Sequence, residues 1–191
     1  MTRFTLTATP LPGVTMVQRH PVGDQRGYLE RVFCQQDMAA CLQGRAVVQI
    51  NRTLTARKGT VRGMHFQWPP HAEMKLISCL RGEVWDVAID LRQGSATFKQ
   101  WHAERLSAEN HRSLLIPEGF AHGFQTLTDD CELLYLHTAA YDAAAEGAVN
   151  ATDPAIAIAW PLPITELSPR DHAHPLISDG FKGVARVSST N

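Results

Sequence analysis

His65 stands in the densest polar run of the chain, Gly59-Thr-Val-Arg-Gly-Met-His65-Phe-Gln67, and Lys75 follows ten residues later in a strand-like stretch. A histidine can take up a proton near neutral pH, and an ammonium group can stabilise charge developing on an oxygen. Placed on two neighbouring strands, the pair can converge on one cavity. Taken singly each has a plainer reading, as a hydrogen-bonded structural histidine and a solvated lysine. Tyr135, within Leu133-Leu134-Tyr135-Leu136, reads from its neighbours as an aromatic core residue with its hydroxyl at a rim. Arg26 lies in the turn-like Asp24-Gln-Arg-Gly27, and Arg62 has the setting of an ordinary surface cation. Two guanidinium groups nonetheless match the oxygens of a diphosphate, although spacing alone does not bring them together.

A second cluster, Ile116-Pro-Glu-Gly-Phe-Ala-His122-Gly-Phe124, has the Pro-x-Gly-x-x-His form with which cupin jelly rolls turn a corner and aim a histidine inward. A metal-binding cupin also needs several convergent donors, commonly a His-x-His pair followed by a glutamate. None precedes this cluster. The nearest substitutes are His65, His71 and Glu73, and Pro69-Pro70 interrupts the alternation between them, so no metal is expected. His172 and His174 do form a His-x-His pair, but in a proline-rich tail where surface positions are expected.

The elements that must carry these residues read as β-strands. Arg45 to Arg52, Met74 to Leu80, Glu83 to Leu91, Phe98 to Leu106, His111 to Ile116 and Glu132 to Thr138 are short, rich in β-branched and aromatic residues, and separated by turn signals such as Arg81-Gly82 and Pro117-Glu118-Gly119. Strands joined this tightly predict an antiparallel sandwich or barrel rather than βαβ units. One helix is expected over Gln35 to Leu42, with Met38, Cys41 and Leu42 on one face and Gly44 ending it. From Asp153 onward the prolines predict an irregular wrap over the surface, with Arg186 to Asn191 frayed.

A chain of 191 residues with 44% hydrophobic content, 19% charged content and a net charge of -1 reads as one globular domain. It lacks the basic excess that nucleic-acid binding requires. Its apolar runs are too short for a membrane span, and no basic segment followed by an apolar one opens the chain, so a cytoplasmic protein is expected. Cys34, Cys41, Cys79 and Cys131 show no C-x-x-C spacing and read as reduced thiols.

Together the clusters resemble the dTDP-4-dehydrorhamnose 3,5-epimerase family. The likeness runs from Asp24-x-Arg-Gly27 and Glu30 through Gln49-Ile-Asn51, Val61-Arg-Gly-Met-His-Phe-Gln67, Lys75-Leu, Arg81 to Arg92, Leu106 to Asn110 and Ile116 to Phe124, to Tyr135, Asp153-Pro154, Trp160-Pro161 and Leu167-Ser-x-x-Asp171. The resemblance implies an all-β, cupin-type antiparallel jelly roll that forms a homodimer partly through its N-terminal strands. It implies a nucleotide-linked 4-keto-6-deoxy sugar as substrate, no cofactor, and a role for each matched residue. His65 is then the general base, Asp171 its dyad partner, Tyr135 the proton donor and Lys75 the enolate stabiliser. Arg26 and Arg62 would bind the diphosphate, Glu30, Gln49 and Asn51 would lie near the nucleotide, and His122 would line the sugar site.

Those roles fit elementary chemistry. A hydrogen α to a ketone is removable because its charge moves onto oxygen, so inversion needs a base, an electrophile at that oxygen and a donor on the opposite face. Leu136, Ala151-Thr-Asp-Pro154 and Ser168-Pro-Arg-Asp171 depart from the family's usual residues, which bears on the substrate more than on the reaction. The alternatives are an epimerase acting at C3 or C5 alone on another nucleotide, a catalytically silent sugar-nucleotide-binding cupin, and a metal-dependent cupin enzyme.

Overall fold

The computed structural model describes residues 2–178 and 180–185, and the stretch expected to fray, Arg186 to Asn191, lies outside them. Two sheets face each other. The first is ordered β1 (Phe4–Ala8), β2 (Thr15–Arg19), β10 (Arg112–Ile116), β7 (Lys75–Arg81), β12 (Cys131–His137), β5 (Gln49–Thr55). The second is ordered β13 (Glu146–Ala148), β6 (Thr60–Gln67), β11 (Phe120–Thr126), β8 (Glu83–Asp90), β9 (Trp101–Ser107), with β14 (Glu166–Leu167) running parallel on β6. From β5 to β12 the chain changes sheet at every step except the β8–β9 hairpin, which is the path of the expected jelly roll.

Alternation along the strands decides what lies between the sheets. Ile77 and Cys79 of β7, Leu133 of β12, Val84 and Ala88 of β8, and Phe120 and Phe124 of β11 pack together in the interior. Their neighbours point outward, yet they too are covered. Outside the first sheet, Leu76, Leu115 and Leu136 pack with Met38 and Leu42. Outside the second, Val61, Phe66, Val87 and Ile89 pack with Val149, Ile156, Trp160, Phe181 and Val184 of the C-terminal wrap. The expected wrap is therefore a second hydrophobic layer, and β11 is buried at every position because both its faces are covered.

The expected helix shortens to α1 (Ala39–Leu42), since Met38 offers no side-chain cap and residues 35–38 form turns instead. Its C-cap is Gln43, in the left-handed conformation one residue before Gly44. A second short helix, α2 (Pro169–His172), begins at Ser168, whose side chain accepts from the Asp171 amide. Val22–Asp24 (β3) and Gly27–Leu29 (β4) form a separate exposed hairpin, with Asp24-Gln-Arg-Gly27 as its turn. All four cysteines are free thiols. Among the described residues no helix is long and apolar enough to cross a membrane.

Candidate active site

On the β5 and β6 side of the interior the inward residues turn polar and line a cavity of about 260 Å³. His65 and Lys75 both reach it, but from opposite sheets rather than from neighbouring strands. Strict alternation would place Arg62 and His65 on opposite faces of β6. The register with β11 slips by one residue here, because His122 pairs with His65 whereas Phe124 pairs with Arg62. The extra residue lets Arg62, His65 and Gln67 all line the cavity. Gly63 makes this possible: its φ of 128° is in the left-handed half of backbone space, and a Cβ there would lie 2.6 Å from Gly123 Cα.

His65 Nε2 lies 2.8 Å from Asp171 Oδ1. Asp171 sits behind the ring, placed by α2, and its other oxygen accepts from the Gly63 amide at 3.4 Å. Burial opposes ionisation of this carboxyl, but the hydrogen bonds and charge from His65, Gly63 and His174 outweigh it and hold the pKa at about 2. A carboxylate fixed in this way orients the imidazole and leaves Nδ1 as the ring nitrogen free to accept a proton.

Lys75 is buried, with Nζ 3.1 Å from Glu73 Oε1 and donating to the His65 carbonyl at 3.3 Å. An ammonium group has three hydrogens, so one remains for a ligand. Glu73 also binds His137 Nδ1 at 2.7 Å, and burial of this carboxyl is outweighed by His137 and Lys75, which hold it ionised below the usual range. Tyr135 stacks on His137 at 6.0 Å between centroids and meets His122 edge-on at 6.0 Å. Burial, reinforced by the charge of Asp86, pushes its hydroxyl well above the ordinary phenol value, so it stays protonated. His122 Nε2 lies 2.8 Å from the buried Asp86.

Asn51 lines the same cavity, and Gln49 holds the Asn51 side chain at 3.3 Å while accepting from the Tyr141 amide. Arg26 and Glu30 are not brought there. The Arg26 side chain is 89% exposed and paired with Asp24 on the projecting hairpin. The Glu30 carboxylate faces the buried Arg19 at 3.2 Å and His111 at 2.8 Å, where its charge only partly offsets the burial that lowers the Arg19 pKa.

Three residues that sequence reasoning left out belong to the site. Asp86 is legible in hindsight as a carboxylate at an inward position between Val84 and Ala88, and His137 follows Tyr135 by the strand period of two. His174 corrects the expectation of a surface residue: its side chain is 13% exposed and its Nε2 lies 3.1 Å from Asp171 Oδ1. His172 is exposed as expected. Of the residues weighed as metal-ligand substitutes, His71 faces Asp142 and Glu73 faces Lys75 and His137, so they do not join His65 and His122 in a cupin-type donor set.

The sequence model described as dTDP-4-dehydrorhamnose 3,5-epimerase matches residues 8–179. The chain belongs to this family. The Salmonella typhimurium dTDP-4-dehydrorhamnose 3,5-epimerase is 44% identical over 176 residues, covering 91% of this chain and 95% of that protein. The Legionella pneumophila family member, solved in complex with dTDP-4-keto-L-rhamnose, superposes with a TM-score of 0.88 at 35% identity, covering 96% of this chain and 100% of that one. A Streptomyces niveus relative named dTDP-4-dehydrorhamnose 3-epimerase is 35% identical, covering 88% of this chain and 82% of its own. The family's jelly roll and epimerase class therefore hold for this chain.

Proposed function

We propose that this protein epimerises C3 and C5 of dTDP-4-keto-6-deoxyglucose through enolate intermediates, with His65 as the base. The observation that carries this reading is the convergence on one cavity of His65, oriented by Asp171 at 2.8 Å, with Lys75 and Tyr135. His65 Nδ1 takes the proton from carbon while the C4 oxygen gains charge and is met by the free hydrogen of Lys75. The carbon then receives a proton from the Tyr135 hydroxyl on the opposite face. His65 ends one proton richer and Tyr135 one poorer, and exchange with solvent resets both. The same ketone activates C3 and C5, so one base serves both centres once the sugar ring changes pucker. No redox step occurs, and no cofactor is required.

Arg62, exposed at the cavity mouth, would bind the diphosphate, and Asn51, held by Gln49, would lie near the nucleotide. Arg26 and Glu30 do not act in this chain's own cavity. We assign the chain to a homodimer, because β1 is an edge strand of the first sheet and Val22, Tyr28 and Leu29 leave the hairpin's apolar surface uncovered. A dimer mass by light scattering at micromolar concentration is expected, and a monomer would refute the assignment. Free thiols and a nucleotide-sugar substrate fit the cytoplasm.

Incubation with the dTDP-linked sugar in deuterated water, followed by NMR, tests the reaction. Deuterium should enter both C3 and C5. Label at C3 alone would select the chemistry named for the Streptomyces niveus relative, and label at neither carbon would reject an epimerase.

A further inference from the structure

We propose that His65, Asp171 and His174 form a binding site for a divalent transition ion of the zinc class, and that filling this site silences the base. The second clause rests on His65 being that base. The first does not. Among the described residues this is the only group in which three side chains bring metal-capable donor atoms together, all within 4.8 Å of one another. His65 Nε2 and His174 Nε2 approach the same oxygen, Asp171 Oδ1, at 2.8 and 3.1 Å. The two rings stand at 89° with centroids 5.3 Å apart, so their Nε2 atoms aim at one point from different directions.

The donor types select the ion. Two imidazoles and one carboxylate suit zinc and its neighbours, whereas calcium and magnesium require oxygen ligands. The carboxylate is held from behind by the Gly63 amide, and Asp171 is 4% exposed, so the donor at the centre is already fixed. Arg170, the adjacent cation, is ion-paired with Glu146, which offsets the charge that would repel a second cation.

Silencing follows from the tautomer. Without an ion, each neutral ring presents an Nε2–H to Asp171. To coordinate through Nε2 the ring must carry its hydrogen on Nδ1 instead, and no proton need leave the molecule. For His65 that hydrogen occupies the one nitrogen left to accept a proton from carbon. An ion at this site therefore lowers kcat even at saturating substrate, and removing it restores activity.

The test uses purified protein stripped with a chelator, then titrated with zinc chloride against a chromophoric zinc indicator. Wild type and the exposed-site control His172→Gln should bind one equivalent equally. His174→Gln and His174→Asn, each checked for native near-UV circular dichroism, should bind at least about tenfold more weakly, the lower end of losses seen when even an outer partner of a metal site is removed. In deuterated water with sugar nucleotide, zinc should reduce wild-type kcat for hydrogen exchange in step with occupancy, and stripped protein should be fully active. Equal affinity in folded His174 variants, or no stoichiometric binding by wild type, overturns the site. Tight binding that leaves exchange unchanged overturns the silencing. His174-dependent binding by a protein without epimerase activity would uphold the site while rejecting the catalytic reading.

Discussion

Asp86 and Asp90 lie on one strand, β8, and neither side chain has any exposure, yet the cavity wall and the β8–β9 loop treat their carboxylates in opposite ways. Asp90 accepts five hydrogen bonds, three from Arg92 and one each from Ser95 and Thr97. These outweigh its burial and hold its pKa below the ordinary value. Asp86 accepts one bond, from His122, and its second oxygen has no partner. Burial dominates there and raises its pKa, with only partial relief from His122. A buried polar atom left bare costs about 1–3 kcal/mol. The loop is built for stability, whereas the cavity tolerates an unsatisfied carboxylate beside Tyr135 and His122.

The largest effects should come from the cavity and appear in rate rather than stability. His65→Ala is expected to lose both solvent exchange and product, by roughly 10² to 10⁴-fold, since no enolate forms. Tyr135→Phe should lose product while retaining exchange, measured by NMR in deuterated water. Near wild-type inversion by the phenylalanine variant would reduce Tyr135 to a packing residue.

Next in size, Asp90→Ala should destabilise by about 3–5 kcal/mol in urea titration, because it strands the Arg92 guanidinium, while the folded enzyme keeps its kcat. A loss below 1 kcal/mol, on the order of a surface pair, would end the contrast. Asp86→Asn should do the reverse, with unfolding free energy at neutral pH unchanged or raised and turnover reduced as His122 loses its anionic partner.

Smallest is the pH signature that separates the two carboxylates. Asp90 has a folded pKa below its reference of 3.8, so its stabilisation is complete above that value and disappears as pH falls through the lowered one. Asp86 is raised above 3.8, so its contribution is most favourable below that pH and declines as pH rises through the folded value. Unfolding curves should therefore show a shallower acid limb for Asp90→Ala. Asp86→Asn should gain over wild type only on the neutral side, and parallel pH profiles for both variants would erase the distinction.

The strands expected from composition, from Arg45 to Arg52 through Glu132 to Thr138, were legible because a β-strand advertises its inward face every second residue, whereas the grouping of His65, Lys75 and Tyr135 into one catalytic set rested on the family resemblance. The period fails at Gly63, where one extra residue returns Arg62 to the side of His65, and nothing in the local composition announces the slip. Long-range placement was equally hidden. Arg26 and Glu30 sit near each other in sequence, but the hairpin takes the first outward and Arg19 claims the second. His174 was misread because a proline-rich tail suggests surface, whereas α2 and the turn after it bring the ring against Asp171.

The close approach of Gly63 to Gly123 makes the wall of the site a ruler. A Cβ on Gly123 would fall 2.5 Å from Met64 Sδ and 2.6 Å from the Arg62 carbonyl, so neither glycine can grow without pushing the strands apart. The main-chain spacing between Arg62 and His65 is thus held by the two glycines. If Arg62 holds the diphosphate and His65 meets the acidic C–H, as proposed, a sugar carried on a single phosphate would fall short of the base. On that reading, recalibrating this enzyme for a shorter or longer carrier would call for an inserted or deleted residue in β6.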